Sequence, residues 1–127
     1  HEFRELMDRG RCDVIQPDLG RVGGLTEAVR AAGLAAERGL CCVPHAWKTG
    51  LTVAATRHFA AAVANCPCTE FYHPQLFPSL LRQELAGPEP ALTDGLLSLP
   101  DQPGLGVELN EPFAQRCLAR PVVTIEK

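Results

Sequence analysis

Three side chains able to move protons stand at comparable places in this sequence. Asp18 follows a short apolar run closed by Pro17, His45 follows a second run closed by Pro44, and Glu70 lies within a third. They are 27 and 25 positions apart, about the length of one strand, one loop and one helix. Each βα unit then sets a titratable group at or near a strand end, where open α/β sheets and β/α barrels hold ligands and catalytic groups. A carboxylate on the neighbouring strand can accept from one ring nitrogen of His45. That fixes the tautomer, stabilises the imidazolium and leaves the other nitrogen to act as a general base or acid. Glu70 could hydrogen-bond an oxygen on which charge builds. Spacing alone leaves a plainer reading open, in which Asp18 caps a loop, His45 is a satisfied turn histidine and Glu70 is solvated. Trp47 and Lys48, in the loop after His45, and His73, after the third run, are candidates for substrate contact at the same mouth. His58 falls on a helical stripe and reads as a packing residue. Gly20, Gly23 and Gly24 do not make the dinucleotide fingerprint and read as a tight turn.

The elements that must position these groups are legible by period. Glu2–Arg9 looks like the end of a helix closed by Gly10. Leu25, Ala28, Val29, Ala32 and Ala36 recur at helical spacing, as do Leu51, Ala54, Ala55, Phe59, Ala62 and Val63. Between them, Cys12–Gln16, Leu40–Val43 and Thr69–Tyr72 are expected as adjacent parallel strands covered by helices. After residue 74 the character changes, because eight of the eleven prolines lie at Pro74 or beyond and proline lacks the N–H that ladders and helix interiors need. That half is expected to be rich in loops. Its readable pieces are a helical turn or two over Leu80–Leu85, turns at Asp94-Gly95 and Pro103–Gly106, a helix over Glu111–Leu118 with Pro112 in its first turn, and a strand over Val122–Ile125.

Composition narrows the function classes. The chain has 127 residues, a net charge of −3, 46% hydrophobic and 21% charged residues. These are ordinary values for a folded protein, and they supply no basic footprint for nucleic acid or an anionic membrane. No apolar run reaches the length of a membrane span. Six cysteines include no C-x-x-C pair, so they are expected to be reduced structural thiols suited to a cytoplasmic setting, with no metal held by this chain. The first residue is His1 and the opening stretch is acidic and amphipathic, which reads as a fragment of a longer chain.

The motifs around the three acid–base residues resemble a known family. Asp13-Val-Ile-Gln-Pro-Asp18-Leu-Gly-Arg-Val-Gly-Gly24-Leu-Thr-Glu27 is similar to the sixth barrel strand and following loop of the mandelate racemase/muconate lactonizing enzyme group in the enolase superfamily. Val43-Pro-His45-Ala-Trp-Lys-Thr-Gly50 resembles the end of the seventh strand and Thr69-Glu70-Phe-Tyr72 the eighth, and Leu99–Val107 looks like the family's return toward its capping domain. The resemblance implies an α/β fold made of the last three strands of a barrel over residues 1–75, with a loop-rich extension over 76–127. It implies that Asp18 and His45 are a dyad moving a proton at the carbon next to a carboxylate. Glu70 is then the acid that hydrogen-bonds the substrate carboxylate as it becomes an enediolate. The cofactor implied is Mg2+, with ligands on earlier strands outside this chain. The substrate implied is a sugar acid, the reaction a dehydration or, alternatively, a racemisation, epimerisation or cycloisomerisation. The parent is expected to be a homo-oligomer. A non-catalytic truncated remnant is the contrasting reading.

Overall fold

In a computed structural model, residues 2–87 and 89–118 are described. The first half alternates helix and strand. Helix α1 (Glu2–Gly10) carries Glu2 and Glu5 in its first turn and Arg9 in its last, which complements the helix dipole at both ends. Strand β1 (Val14–Ile15) leads through a turn to helix α2 (Leu25–Ala36), and strand β2 (Cys41–Cys42) leads to helix α3 (Gly50–Ala62). The turn before α2 needs backbone that side chains resist, with φ of +103° at Gly23 and +93° at Gly24.

β1 and β2 pair in parallel, Val14 against Cys41 and Ile15 against Cys42. Ile15 and Cys42 point into the helices and are buried, whereas Val14 and Cys41 face the opposite side and are exposed. The core joins Met7, Ile15, Leu19, Cys42 and Phe59 to Ala28, Ala31, Ala32 and Ala35. Those alanines form one stripe of α2, and their small size lets the helix lie close over the strands. Arg38 ties the end of this layer to α1, its Nε donating to Asp8 Oδ1 at 2.9 Å. Gly39 closes α2 at φ +67°, and the Leu40 N–H returns to the Ala35 carbonyl at 2.9 Å, the bonding expected of a glycine-terminated helix.

The third expected strand is not one. Thr69–Tyr72 carries no ladder. The segment ahead of it runs beside β2 through two backbone bonds, from the Cys42 N–H to the Asn65 carbonyl at 2.9 Å and from the Glu70 N–H to the Pro44 carbonyl at 3.2 Å. Pro67 on one side and Pro44 on the other remove donors a continuous ladder would require. Asn65 compensates: its amide donates to the Ala32 and Leu40 carbonyls at 3.1 and 3.0 Å and fastens the segment to α2 and β2.

The second half packs on α3. Short helix α4 (Leu80–Gln83), strand β3 (Ala86–Gly87), the hairpin of β4 (Leu92–Thr93) and β5 (Leu96–Leu97), strand β6 (Glu108–Leu109) and helix α5 (Glu111–Cys117) follow in order. Asp94 and Gly95 make the hairpin turn with both φ positive, +50° and +79°, as a tight two-residue turn demands. β3 pairs antiparallel with β6, a pairing the sequence did not disclose. Asn110 caps α5, its Oδ1 accepting from the Phe113 N–H at 3.1 Å. The strand expected at Val122–Ile125 lies outside the described residues.

This second layer widens the buried face of α3. Of the expected stripe, Ala54 and Phe59 are buried, Leu51, Ala55 and Val63 are half-buried and Ala62 is exposed, while Gly50, Val53, Thr56 and Arg57 are buried as well. Arg57 donates to the Ser98 carbonyl at 2.8 Å and His58 Nε2 to the Leu105 carbonyl at 3.2 Å, so the helix is covered from both flanks. Gly50 sits where a Cβ would come within 2.5 Å of the Ala86 carbonyl oxygen and 2.8 Å of that of Arg82. Gly50→Ala is therefore expected to destabilise the fold by about 1–3 kcal/mol. Gly33→Ala, on the exposed side of α2 with nothing within 4 Å, should instead stabilise it by about 0.5–1 kcal/mol. Denaturant titration of the two variants beside the parent measures both.

Candidate active site

The parallel pairing does not stop at Cys42. Asp18 and His45 form a further parallel bridge, with the His45 N–H on the Pro17 carbonyl at 3.1 Å. Both side chains therefore leave neighbouring strand ends side by side. His45 Nδ1 lies 3.0 Å from Asp18 Oδ2, and Nε2 faces Glu70 Oε2 at 4.0 Å. Asp18 Oδ2 accepting from Nδ1–H is the arrangement that fixes the tautomer and leaves Nε2 toward the mouth. Glu70 Oε2 is itself buried with no hydrogen-bond partner. A buried acceptor without a partner is uncommon, and here it faces the ring nitrogen that Asp18 leaves free.

Asp18 is the most enclosed of the group, its side chain 9% exposed. Burial works to raise its carboxyl. The Lys48 ammonium, the His45 ring and the Gly20 N–H, which donates to Oδ1 at 2.8 Å, outweigh that and hold the group below the ordinary carboxylate value. Lys48 Nζ is 3.1 Å from Asp18 Oδ2, the oxygen that also serves His45, and Arg21 Nε stands 3.6 Å from it. The Lys48 ammonium is thus engaged with the dyad carboxylate.

Trp47 lies tilted against His45 with ring centroids 4.6 Å apart, and Tyr72 and Phe77 continue the row by stacking at 4.6 and 3.7 Å. Tyr72 and Phe77 were not among the expected site residues. Their signal in the sequence was only proximity to Glu70 and His73, because stacking across loops has no period. His73 turns into its own loop, where Nδ1 accepts from the Gln75 N–H at 3.3 Å. His58 lies away from the dyad on the α3 flank. A cavity of about 550 Å³ opens beside Asp18 between α1 and α2 and is lined by Gln16, Arg21, Glu27 and Arg30. Asp18 lines it, whereas His45 and Glu70 do not.

All six cysteines are free, but only Cys42 is buried, so the expectation of six structural thiols holds for that one and fails for exposed Cys41, Cys68 and Cys117. Burial, with Cys66 nearby, pushes the Cys42 thiol up to about 11. Burial likewise raises Cys66, helped by Cys68. Both stay protonated near neutrality and neither suits a nucleophile.

Magnesium asks for near-octahedral oxygen ligands, usually including one or two carboxylates and several waters. Among the described residues no three of His, Cys, Asp and Glu gather as a metal site. Asp18 Oδ2 is already ringed by His45, Lys48 and Arg21, and Glu70 stands alone on the far side of the ring. These residues do not fit the ion.

A parallel βα pair that brings a histidine onto an aspartate at its carboxyl end is an arrangement found between neighbouring strands of a β/α barrel. The family model for the enolase C-terminal domain-like fold matches residues 1–113, and the chain belongs to that family. It is 40% identical over 116 residues to an L-rhamnonate dehydratase of Saccharopolyspora erythraea, covering 85% of this chain and 27% of that protein. It is 34% identical over 116 residues to a D-galactarolactone cycloisomerase of Agrobacterium fabrum, covering 84% and 29%. The crystal structure of the 3,6-anhydro-D-galactonate cycloisomerase from Zobellia galactanivorans superposes with a TM-score of 0.79 at 32% identity, covering 90% of this chain and 31% of that one. The chain spans under a third of the length of the curated relatives it matches. Among the described residues, no helix is long and apolar enough to cross a membrane.

The depressed Asp18 carboxyl makes a pH prediction. A group held below its unfolded value near 3.9 contributes its full stabilisation above that pH and loses it as pH falls through the folded value. The part of the stability gap between the parent and Asp18→Asn that comes from the Asp18 carboxyl should be lost as pH falls below about 4. Denaturant midpoints of the two proteins above and below that pH measure it.

Proposed function

We propose that these residues are the proton-transfer segment of a longer enolase-superfamily enzyme acting on a sugar acid, and that the reaction is removal of water. The observation that carries this reading is His45 held between two carboxylates, Nδ1 on Asp18 at 3.0 Å and Nε2 toward Glu70 at 4.0 Å. In a dehydration the proton on the carbon next to the carboxylate leaves, charge moves into the carboxylate oxygens, and the hydroxyl on the next carbon departs with a proton. His45 Nε2 is the group here that can take or deliver such a proton, with Asp18 holding the imidazolium it forms. Glu70 hydrogen-bonds a substrate carboxylate oxygen as charge accumulates there. The exposed Trp47 ring beside His45 is a wall against which the carbon chain can lie. The reading includes Mg2+ in the longer protein, held by carboxylates outside these 127 residues.

Cycloisomerisation is the second reading, favoured by the two cycloisomerases among the similar proteins. It shares the first proton removal and differs in the bond that breaks next.

Full-length protein incubated in D2O with a panel of aldonic and aldaric acids tests the reading. Mass spectrometry should detect deuterium at the carbon next to the carboxylate and loss of water from at least one acid. Asp18→Asn should keep the fold by circular dichroism and slow exchange by on the order of 10²–10⁴-fold, because the amide leaves His45 in the wrong tautomer. A variant exchanging at the parental rate would remove Asp18 from the mechanism. Formation of a cyclic isomer without loss of water would favour the second reading.

A further inference from the structure

We propose that Lys48 is a positioning residue that shares the Asp18 carboxylate with His45 and so poises the ring to give up a proton rather than to keep one. This rests on the reading of His45 as the proton-transfer group.

The geometry is specific. One oxygen, Asp18 Oδ2, takes His45 Nδ1 at 3.0 Å and Lys48 Nζ at 3.1 Å. A carboxylate stabilises the imidazolium through its negative charge, and an ammonium on the same oxygen offsets that charge. Lys48 and a protonated His45 then repel each other across a shared acceptor, and the penalty exists only while the ring is protonated. Every charged group the structure places around the ring enters this balance. Asp18, from the turn after β1, favours the imidazolium, and so does Glu70, 4.0 Å from Nε2 on the segment after α3. Lys48, on the loop that carries His45, opposes it, and Arg21 adds a weaker opposition from 3.6 Å on Oδ2. Trp47 covers one face of the ring and brings no charge. Without Lys48 the ring would sit between two carboxylates offset by Arg21 alone, an arrangement that favours holding the proton. The ammonium restores the readiness to release it that protonation of a departing hydroxyl demands.

The reach of this residue fits the role. Lys48 is three positions beyond His45, and the intervening turn ends where Thr49 caps α3 through the Thr52 N–H at 3.1 Å. The lysine stem is therefore anchored by the start of a helix rather than by a free loop. Gly20 leaves the space open: its Cβ position lies 3.2 Å from Asp18 Oδ1 and 3.8 Å from Lys48 Nζ, so a side chain there would crowd the shared carboxylate.

The test reads the ring directly. Full-length protein is treated with diethyl pyrocarbonate, which acylates the neutral imidazole, and modification of the His45 peptide is followed by mass spectrometry from pH 5 to 9. In Lys48→Met the midpoint of His45 modification should move up by about 0.5–1 pH unit relative to the parent, the effect of one nearby charge in a partly solvated site. Lys48→Gln, which keeps most of the side-chain volume, should move it equally. Lys48→Arg should leave it within 0.2 of a unit, roughly the resolution expected for a retained charge. An unmoved midpoint in the Met and Gln variants, or the same shift in the Arg variant, overturns the proposal. Because acylation needs no turnover, these outcomes stand apart from deuterium exchange, which tests the reaction itself. A midpoint shift without exchange in the parent protein would support the electrostatic coupling of Lys48 to His45 and overturn the proton-transfer reading, for dehydration and cycloisomerisation alike.

Discussion

The parallel register of two very short strands is the constraint on which the site depends. Val14 lies against Cys41 and Ile15 against Cys42, and the same offset of 27 returns where Asp18 bridges His45. Proline follows each strand closely, so neither can lengthen into an ordinary ladder. The Val43 and His45 N–H groups nevertheless reach the Ile15 and Pro17 carbonyls at 2.9 and 3.1 Å. Backbone hydrogen bonds thus carry the two side chains to the same height, and the Nδ1–Oδ2 bond follows from that register. A slip of one residue would reverse which side chains face the helices and separate the pair.

The register is held by what covers it on one side. Ile15 and Cys42 are nearly inaccessible beneath the alanine stripe of α2 and beneath Phe59 of α3. The other face, with Val14 and Cys41, is left open. In a closed β/α barrel that side is the packed interior filled by residues from several strands. The layer therefore has a helix-covered exterior and brings Asp18 and His45 together at the carboxyl ends of its strands, the end at which such barrels place their chemistry.

The proline-rich half fixes the far side of α3. Arg82 is buried with its guanidinium over the Phe71 ring at 4.6 Å and paired with Glu89. Phe71 is the residue after Glu70, so this ion pair stands directly behind the segment that presents the acid. A buried charge is tolerated only with a close partner, and the need for that partner brings residue 89 back to the end of the third unit. Gly50, with no room for a methyl group beside the Ala86 and Arg82 carbonyls, is where this half meets the helix following His45.

Residue types and spacing alone determined the α–β–α–β–α order, the helix end at Gly10, the Asp94-Gly95 turn, and the candidacy of Asp18, His45 and Glu70. Each of these is a local signal, written in period, caps or backbone preference. Tertiary structure decided what is not local. It withheld a ladder from Thr69–Tyr72, because the donors missing at Pro44 and Pro67 matter only once two segments lie side by side. It widened the buried face of α3 beyond Ala54 and Phe59 to Val53, Thr56 and Arg57, because packing from residues 80–110 sets how much of that helix is inside. It directed Lys48 to the dyad carboxylate rather than leaving it solvated or facing outward, and it stacked Tyr72 and Phe77 behind Trp47. Those contacts join residues from different units, and their energy depends on distances that no spacing along the chain encodes.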